Sequence, residues 1–175
     1  MGMSSTEVGY PPSLFAEVYA RAAAEGLHLV AHAGEEGPPE YVREAVEVLG
    51  VERVDHGNRA IEDPELVRRL VDLRMPLTVC PLSNVALRTA PRELSRHPLP
   101  GMLAAGLVVT VNSDDPAYFG GYIDDNYRAI AAALPLDAAD LATLARNSFE
   151  ASFATDREKA AWITEVDAAM AGASD

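Results

Sequence analysis

The chain has 175 residues, 49% of them hydrophobic, and a formal net charge of −13. This suffices for one domain with a sizeable core, and the negative balance excludes nucleic acid and anionic membrane surfaces as partners, because their phosphates would be repelled. No apolar stretch approaches the roughly 20 residues of a membrane span, the opening Met1-Gly2-Met3-Ser4 has no signal-peptide character, and one cysteine, Cys80, permits no internal disulfide, so a cytoplasmic location is expected.

Pro11-Pro12 opens a helical pattern over residues 13–25, with Leu14, Val18 and Ala22 on one face, and Gly26 ends it. The apolar run 27–31 reads as a strand. A second helix is predicted over 39–49, stopped by Gly50, and 51–54 reads as the next strand. Asp63-Pro64, an N-cap with proline behind it, starts a third helix that runs to about Leu73. Residues 76–80 form a third strand closed by Pro81, 84–98 read mostly as loop, and a short helix near 100–105 leads into the valine-rich strand 107–111. The tail is helical over 124–134, 138–153 and 155–171, the last opened by a Thr155/Glu158 capping box.

Helix and strand therefore alternate four times. Each strand is a short, nearly continuous apolar run, which is how parallel strands buried on both faces read. About four parallel strands with flanking helices are too few to close a barrel of eight. The expected fold is α/β, the carboxyl-terminal half of a (β/α)8 barrel with a helical tail.

Polar residues cluster where these strands end. His32-Ala33-Gly34-Glu35 follows the first strand, Asp55-His56-Gly57 the second and Asn112-Ser113-Asp114-Asp115-Pro116 the fourth. In a parallel α/β fold that rim collects catalytic groups. A neutral imidazole at His32 suits a divalent metal such as zinc, and a partly buried Glu35 can hold and deliver a proton. His56 can orient or deprotonate a metal-bound water. Of the Asp114/Asp115 pair, one can bind the metal and the other face a substrate, since paired carboxylates are costly to bury without a cation. The plainer alternatives are a capped strand end, a structural histidine and an Asp-Pro turn. Cys80 reads as packing rather than as a ligand, and His28 and His97 as structural or surface residues. No Cys-x-x-Cys, Walker loop or Gly-x-Ser-x-Gly elbow occurs.

Four motifs in order, His32-Ala-Gly-Glu35, Asp55-His56-Gly57, Cys80-Pro-Leu-Ser-Asn84 and Ser113-Asp114-Asp115-Pro116, resemble the adenosine/adenine deaminases of the amidohydrolase superfamily. The resemblance covers nearly the whole chain. It implies zinc-dependent hydrolytic deamination of a 6-aminopurine, with ammonia release, in a (β/α)8 barrel. It makes His32 and Asp114 zinc ligands, Glu35 the proton donor to N1, His56 the residue that positions the attacking hydroxide at C6, and Asp115 a hydrogen-bond partner of N7. The segment Gly34-Glu35-Glu36-Gly37-Pro38-Pro39, the stretch from Asn112 to Gly121 and the opening Ser4-Ser5-Thr6-Glu7-Val8-Gly9 are more similar to the adenine than to the adenosine branch, with Ser5 and Thr6 at the base. The family's His-x-His strand, with two further zinc ligands, is not in this sequence. Residues 1–175 are thus expected to be a partial metal-dependent deaminase domain, weak in zinc binding and activity alone, and prone to self-association through open sheet edges. The rival readings are an adenosine deaminase proper, another amidohydrolase acting on a cyclic amide or on AMP, and a non-catalytic half-barrel.

Overall fold

A computed structural model describes residues 1–172. Five parallel strands form one sheet in the order β1-β2-β3-β4-β5: Gly2–Met3, Val30–Ala33, Arg53–His56, Pro76–Val79 and Val108–Val111. Helices α1 (Ala16–Ala24), α2 (Pro39–Glu47), α3 (Pro64–Asp72), α4 (Pro81–Leu87) and α5 (Leu99–Ala104) lie in the connections between strands. After β5 come α6 (Pro116–Phe119), α7 (Ile123–Ala133), α8 (Ala138–Glu150) and α9 (Asp156–Gly172). Unbroken parallel order with a helical crossover at each of the long steps is the architecture of a half barrel. Among the described residues, no helix is long and apolar enough to cross a membrane.

Three expectations need correction. The sheet has five strands rather than four, because Gly2–Met3 pairs with Val30 and Ala31; two residues are too short a run to register as a strand by periodicity. Residues 81–87, expected to be a strand stop and loop, are helical, because Pro81 serves as the first residue of α4 as well as the end of β4. The strands are also not buried on both faces. In β2, β3 and β4 buried residues alternate with half-buried ones, and only β5 is buried throughout.

That alternation organises the molecule. Ala31, Ala33, Val54, Leu77 and Val79 face a core filled by Val42, Leu66, Leu70, Leu99 and Met102 from the helices. The opposite face carries His32, Asp55 and Thr78. Local signals act as expected at α3, where the Asp63 carboxylate accepts from the amides of Glu65 and Leu66, and at α9, where Thr155 and Glu158 cap each other. The sheet edges differ. At β5, Asn147 of α8 donates to the Val109 carbonyl at 2.9 Å and α8 covers the strand. Two-residue β1 is the other edge.

His97 is structural, as expected, but is no surface residue: it is 3% exposed, and burial pushes its imidazole down to about 4. An unfolded histidine protonates near pH 6.5, so between these values the unfolded chain binds the extra proton. Stability is complete above about pH 6.5 and falls as pH drops toward 4, by up to about 3 kcal/mol. Urea unfolding at neutral pH and near pH 5 checks this: His97→Gln should show a clearly flatter acid-side loss than the parent chain.

Candidate functional site

The parallel register delivers the carboxyl ends of all five strands to one rim. Residues 4–6 follow β1, His32 and Glu35 belong to the end of β2, Asp55 and His56 close β3, Cys80 follows β4, and residues 112–115 follow β5. His32 and His56 lie within their strands rather than beyond them, as the shorter predicted strands had it. One cavity of about 300 Å³ is lined by Ser5, Thr6, His32, Glu35, His56, Asp114 and Asp115. All seven residues singled out from the sequence share it, and it is large enough for a small heterocycle.

The backbone marks the same positions. Only five non-glycine residues among those described have positive φ, and three are Ser5 (+96°), His56 (+63°) and Asp114 (+58°). Side chains disfavour this region, and the strain persists where surrounding structure enforces it, characteristically at functional sites. Gly57 continues the kink after His56 at φ +72°, a conformation that L side chains rarely adopt, and a Cβ there would press on the buried Leu77 side chain at 2.8 Å.

Each functional side chain is held by a neighbour. His32 Nδ1 lies 3.0 Å from the Met3 carbonyl, an acceptor only, so Nδ1 carries the proton and Nε2 keeps its lone pair. Asp55 Oδ2 stands 3.7 Å from the same nitrogen, and Thr78 donates to Asp55 at 3.0 Å. The rings of His32 and His56 are 4.8 Å apart. Ser83 donates to Asp114 Oδ2 at 2.5 Å. His56 Nε2 lies 3.5 Å from Glu35 Oε2, while Glu35 Oε1 is buried without a partner.

Electrostatics separate the acid from the imidazole. Burial, then the charges of Asp114, Glu7 and Glu36, pushes Glu35 up to about 7. Burial and the neighbouring His32 push His56 down to about 4, against the pull of Asp114 and Asp55. Near neutrality the contact is therefore between a neutral imidazole and a carboxyl group that still holds a proton about half the time, rather than an ion pair.

A divalent cation fits this donor set. Potential ligand atoms of His56, Cys80 and Asp114 lie within 4.8 Å of one another, and His32 offers a free nitrogen in the adjoining cavity. Borderline nitrogen and carboxylate donors suit zinc. Cys80, expected to be packing, is buried but sits on the floor of the site; burial and nearby carboxylates raise its thiol well above the ordinary range, which weakens it as a ligand.

Glu7 belongs to the opening segment that carries the resemblance, yet no pattern in the sequence assigns its side chain a role. Its buried carboxylate accepts from the amides of Gly34 (2.9 Å), Glu35 (3.1 Å) and Gly37 (2.8 Å). It thereby ties the loop after β1 to the loop that carries Glu35. Ser83 and Asn84 belong to the Cys80-Pro-Leu-Ser-Asn84 motif, to whose members the resemblance assigns no role.

A family model described as adenosine deaminase matches residues 1–169. The chain belongs to the adenosine deaminase family. It is 62% identical over 170 residues to an adenine deaminase of Streptomyces coelicolor, covering 96% of this chain and 50% of that protein. An adenine deaminase of Sphingopyxis alaskensis is 58% identical over 168 residues, with coverages of 96% and 49%. Among solved structures, adenine deaminase from Arthrobacter aurescens superposes with a TM-score of 0.94 at 56% identity, covering 97% of this chain and 51% of that one. An amidohydrolase from Burkholderia ambifaria, crystallised with bound Zn, gives 0.89 at 34% identity, covering 99% and 50%. This adenosine deaminase family chain thus spans about half the length of the relatives it matches, and its five parallel strands form one part of a barrel wall.

Glu7→Gln replaces one acceptor oxygen by an amide group that opposes a backbone N–H. The expected cost is about 2 kcal/mol, measured by urea denaturation, with faster hydrogen exchange at Gly34, Glu35 and Gly37 while amides of α8 stay protected.

Proposed function

We propose that the chain is a partial metal-dependent deaminase domain that supplies the proton-transfer side of an adenine deaminase, which converts adenine to the 6-oxo purine and ammonia. The observation that carries this reading is the single cavity in which Glu35, pushed up to about 7, stands beside His56 and the Asp114/Asp115 pair. Relatives of high identity named adenine deaminase support adenine over adenosine. The acidic surroundings disfavour a phosphorylated substrate. A purine base is accordingly the small-molecule partner in this reading, and the cytoplasm its place of action.

In this proposal His32 Nε2 and the Asp114 carboxylate hold one zinc ion, with two further histidines coming from outside residues 1–175. When bound, the ion lowers the pKa of a water toward neutrality and so supplies a nucleophile. The chain's own residues do the remainder. Ser5 and Thr6 line the cavity where the base would lie, and Asp115 is the hydrogen-bond partner of N7. Glu35 delivers its proton to N1, which disrupts the ring's aromaticity and leaves C6 electron-poor. A carboxyl group with a pKa near 7 suits this task, because it is protonated often enough to donate and is a strong enough acid to let go. His56, neutral and desolvated, orients the attacking oxygen.

Ammonia release from adenine, adenosine and AMP in the presence of zinc tests the reading. Turnover should be highest with adenine, and Glu35→Gln should reduce it at least about 100-fold with unchanged urea midpoint; equal turnover by this variant would defeat the assignment. Zinc titration is a second check. The unaltered chain should bind substoichiometrically, and His32→Ala or Asp114→Ala should weaken binding at least about tenfold; tight stoichiometric binding, or no difference among the three, argues against the ligand set. Self-association through the β1 edge belongs to the same proposal, and a clean monomer in sedimentation at micromolar concentration would contradict it.

A further inference from the structure

Next to His56 lies a line of buried polar groups that the chemistry above does not use. Asn84 is fully buried in α4, and His97 is nearly so. Asn84 Nδ2 is 3.2 Å from His56 Nδ1, and Asn84 Oδ1 accepts from the backbone amide of Cys80 at 3.3 Å. His97 Nε2 also approaches Oδ1, at 3.5 Å, while His97 Nδ1 accepts from the backbone amide of Leu99 at 3.1 Å.

Two backbone N–H groups fix the direction of every bond in this line, because a backbone N–H can only donate. The Leu99 amide makes His97 Nδ1 an acceptor, so the proton of neutral His97 sits on Nε2 and points at Asn84 Oδ1. The Cys80 amide requires that same atom to be the carbonyl oxygen, so the NH2 end of Asn84 faces His56. An NH2 group can only donate, so His56 Nδ1 must be the lone-pair nitrogen.

We propose that Asn84 is a positioning residue that fixes His56 as the Nε2–H tautomer, with that proton directed at Glu35. His32, bonded through Nδ1 to the Met3 carbonyl, is held in the opposite tautomer. The two neighbouring imidazoles therefore present different atoms to the cavity: a lone pair from His32 and an N–H from His56. This assigns a cause to the division of labour between them. Its catalytic meaning rests on the function proposed above, whereas the tautomers themselves do not.

Nitrogen-15 NMR of the imidazoles in the chelator-treated chain near pH 8 tests it without any turnover. The sequence has four histidines, so single His→Gln variants assign each ring. In the parent chain His56 and His97 should show pyridine-type Nδ1 and pyrrole-type Nε2, and His32 the reverse. Asn84→Asp puts an acceptor where the NH2 was, so His56 should invert to the Nδ1–H form while His32 and His97 stay as they were. Inversion supports the proposal. Nδ1–H at His56 in the parent chain, or an uninverted His56 in a folded Asn84→Asp protein, overturns it. The parent spectrum alone decides the case if the variant does not fold. Correct tautomers in a chain that never releases ammonia from adenine would count against the deaminase reading and leave the role of Asn84 standing.

Discussion

Everything at this site depends on parallel pairing in unbroken order. Because β1 to β5 run the same way and neighbour one another in sequence order, five carboxyl ends arrive on one rim. Groups as distant in sequence as Ser5 and Asp115 then line a common cavity without any long loop to fetch them. The register does finer work. His32 pairs with Asp55 and Ala33 with His56, which brings the two imidazole rings within 4.8 Å. A slip of one residue would turn every side chain of a strand to the other face.

The site is acidic and has little cationic relief. Glu7, Glu35, Asp55, Asp114 and Asp115 converge on it, and Arg53, 3.6 Å from Asp55, is the cation paired among them. Carboxylates crowded together either share protons or attract a cation. In the proposed reading both responses have a place: Glu35 is driven toward the protonated form, while His32 and Asp114 would hold the cation. Crowded carboxylates of this kind favour an acid that keeps its proton near neutrality.

Much of this was legible in the sequence, for definable reasons. Proline and glycine punctuation and Asp63-Pro64 marked the helices, because those residues act locally. The His32, Asp55-His56 and Asp114-Asp115 clusters stood out as polar residues against apolar strands. What remained hidden needed tertiary contacts. Gly2–Met3 is a strand only because β2 lies beside it. Glu7 looks like any loop acid until its carboxylate meets three amides 27 to 30 residues further on. The half-polar inner face of β2 to β4 escapes a reading by periodicity because four-residue strands show too few alternations to declare a period, and Thr78 in addition stands between two hydrophobic neighbours.

The Glu7 bridge carries one more implication. By clasping the amides of Gly34, Glu35 and Gly37, it makes the segment around Ser5 and the segment bearing the acid a single mechanical body. Remodelling the first to welcome a bulkier heterocycle would tug on the second. A designer wishing to alter ligand choice here must therefore retune both loops together, and natural drift along the lineage faces the same tether.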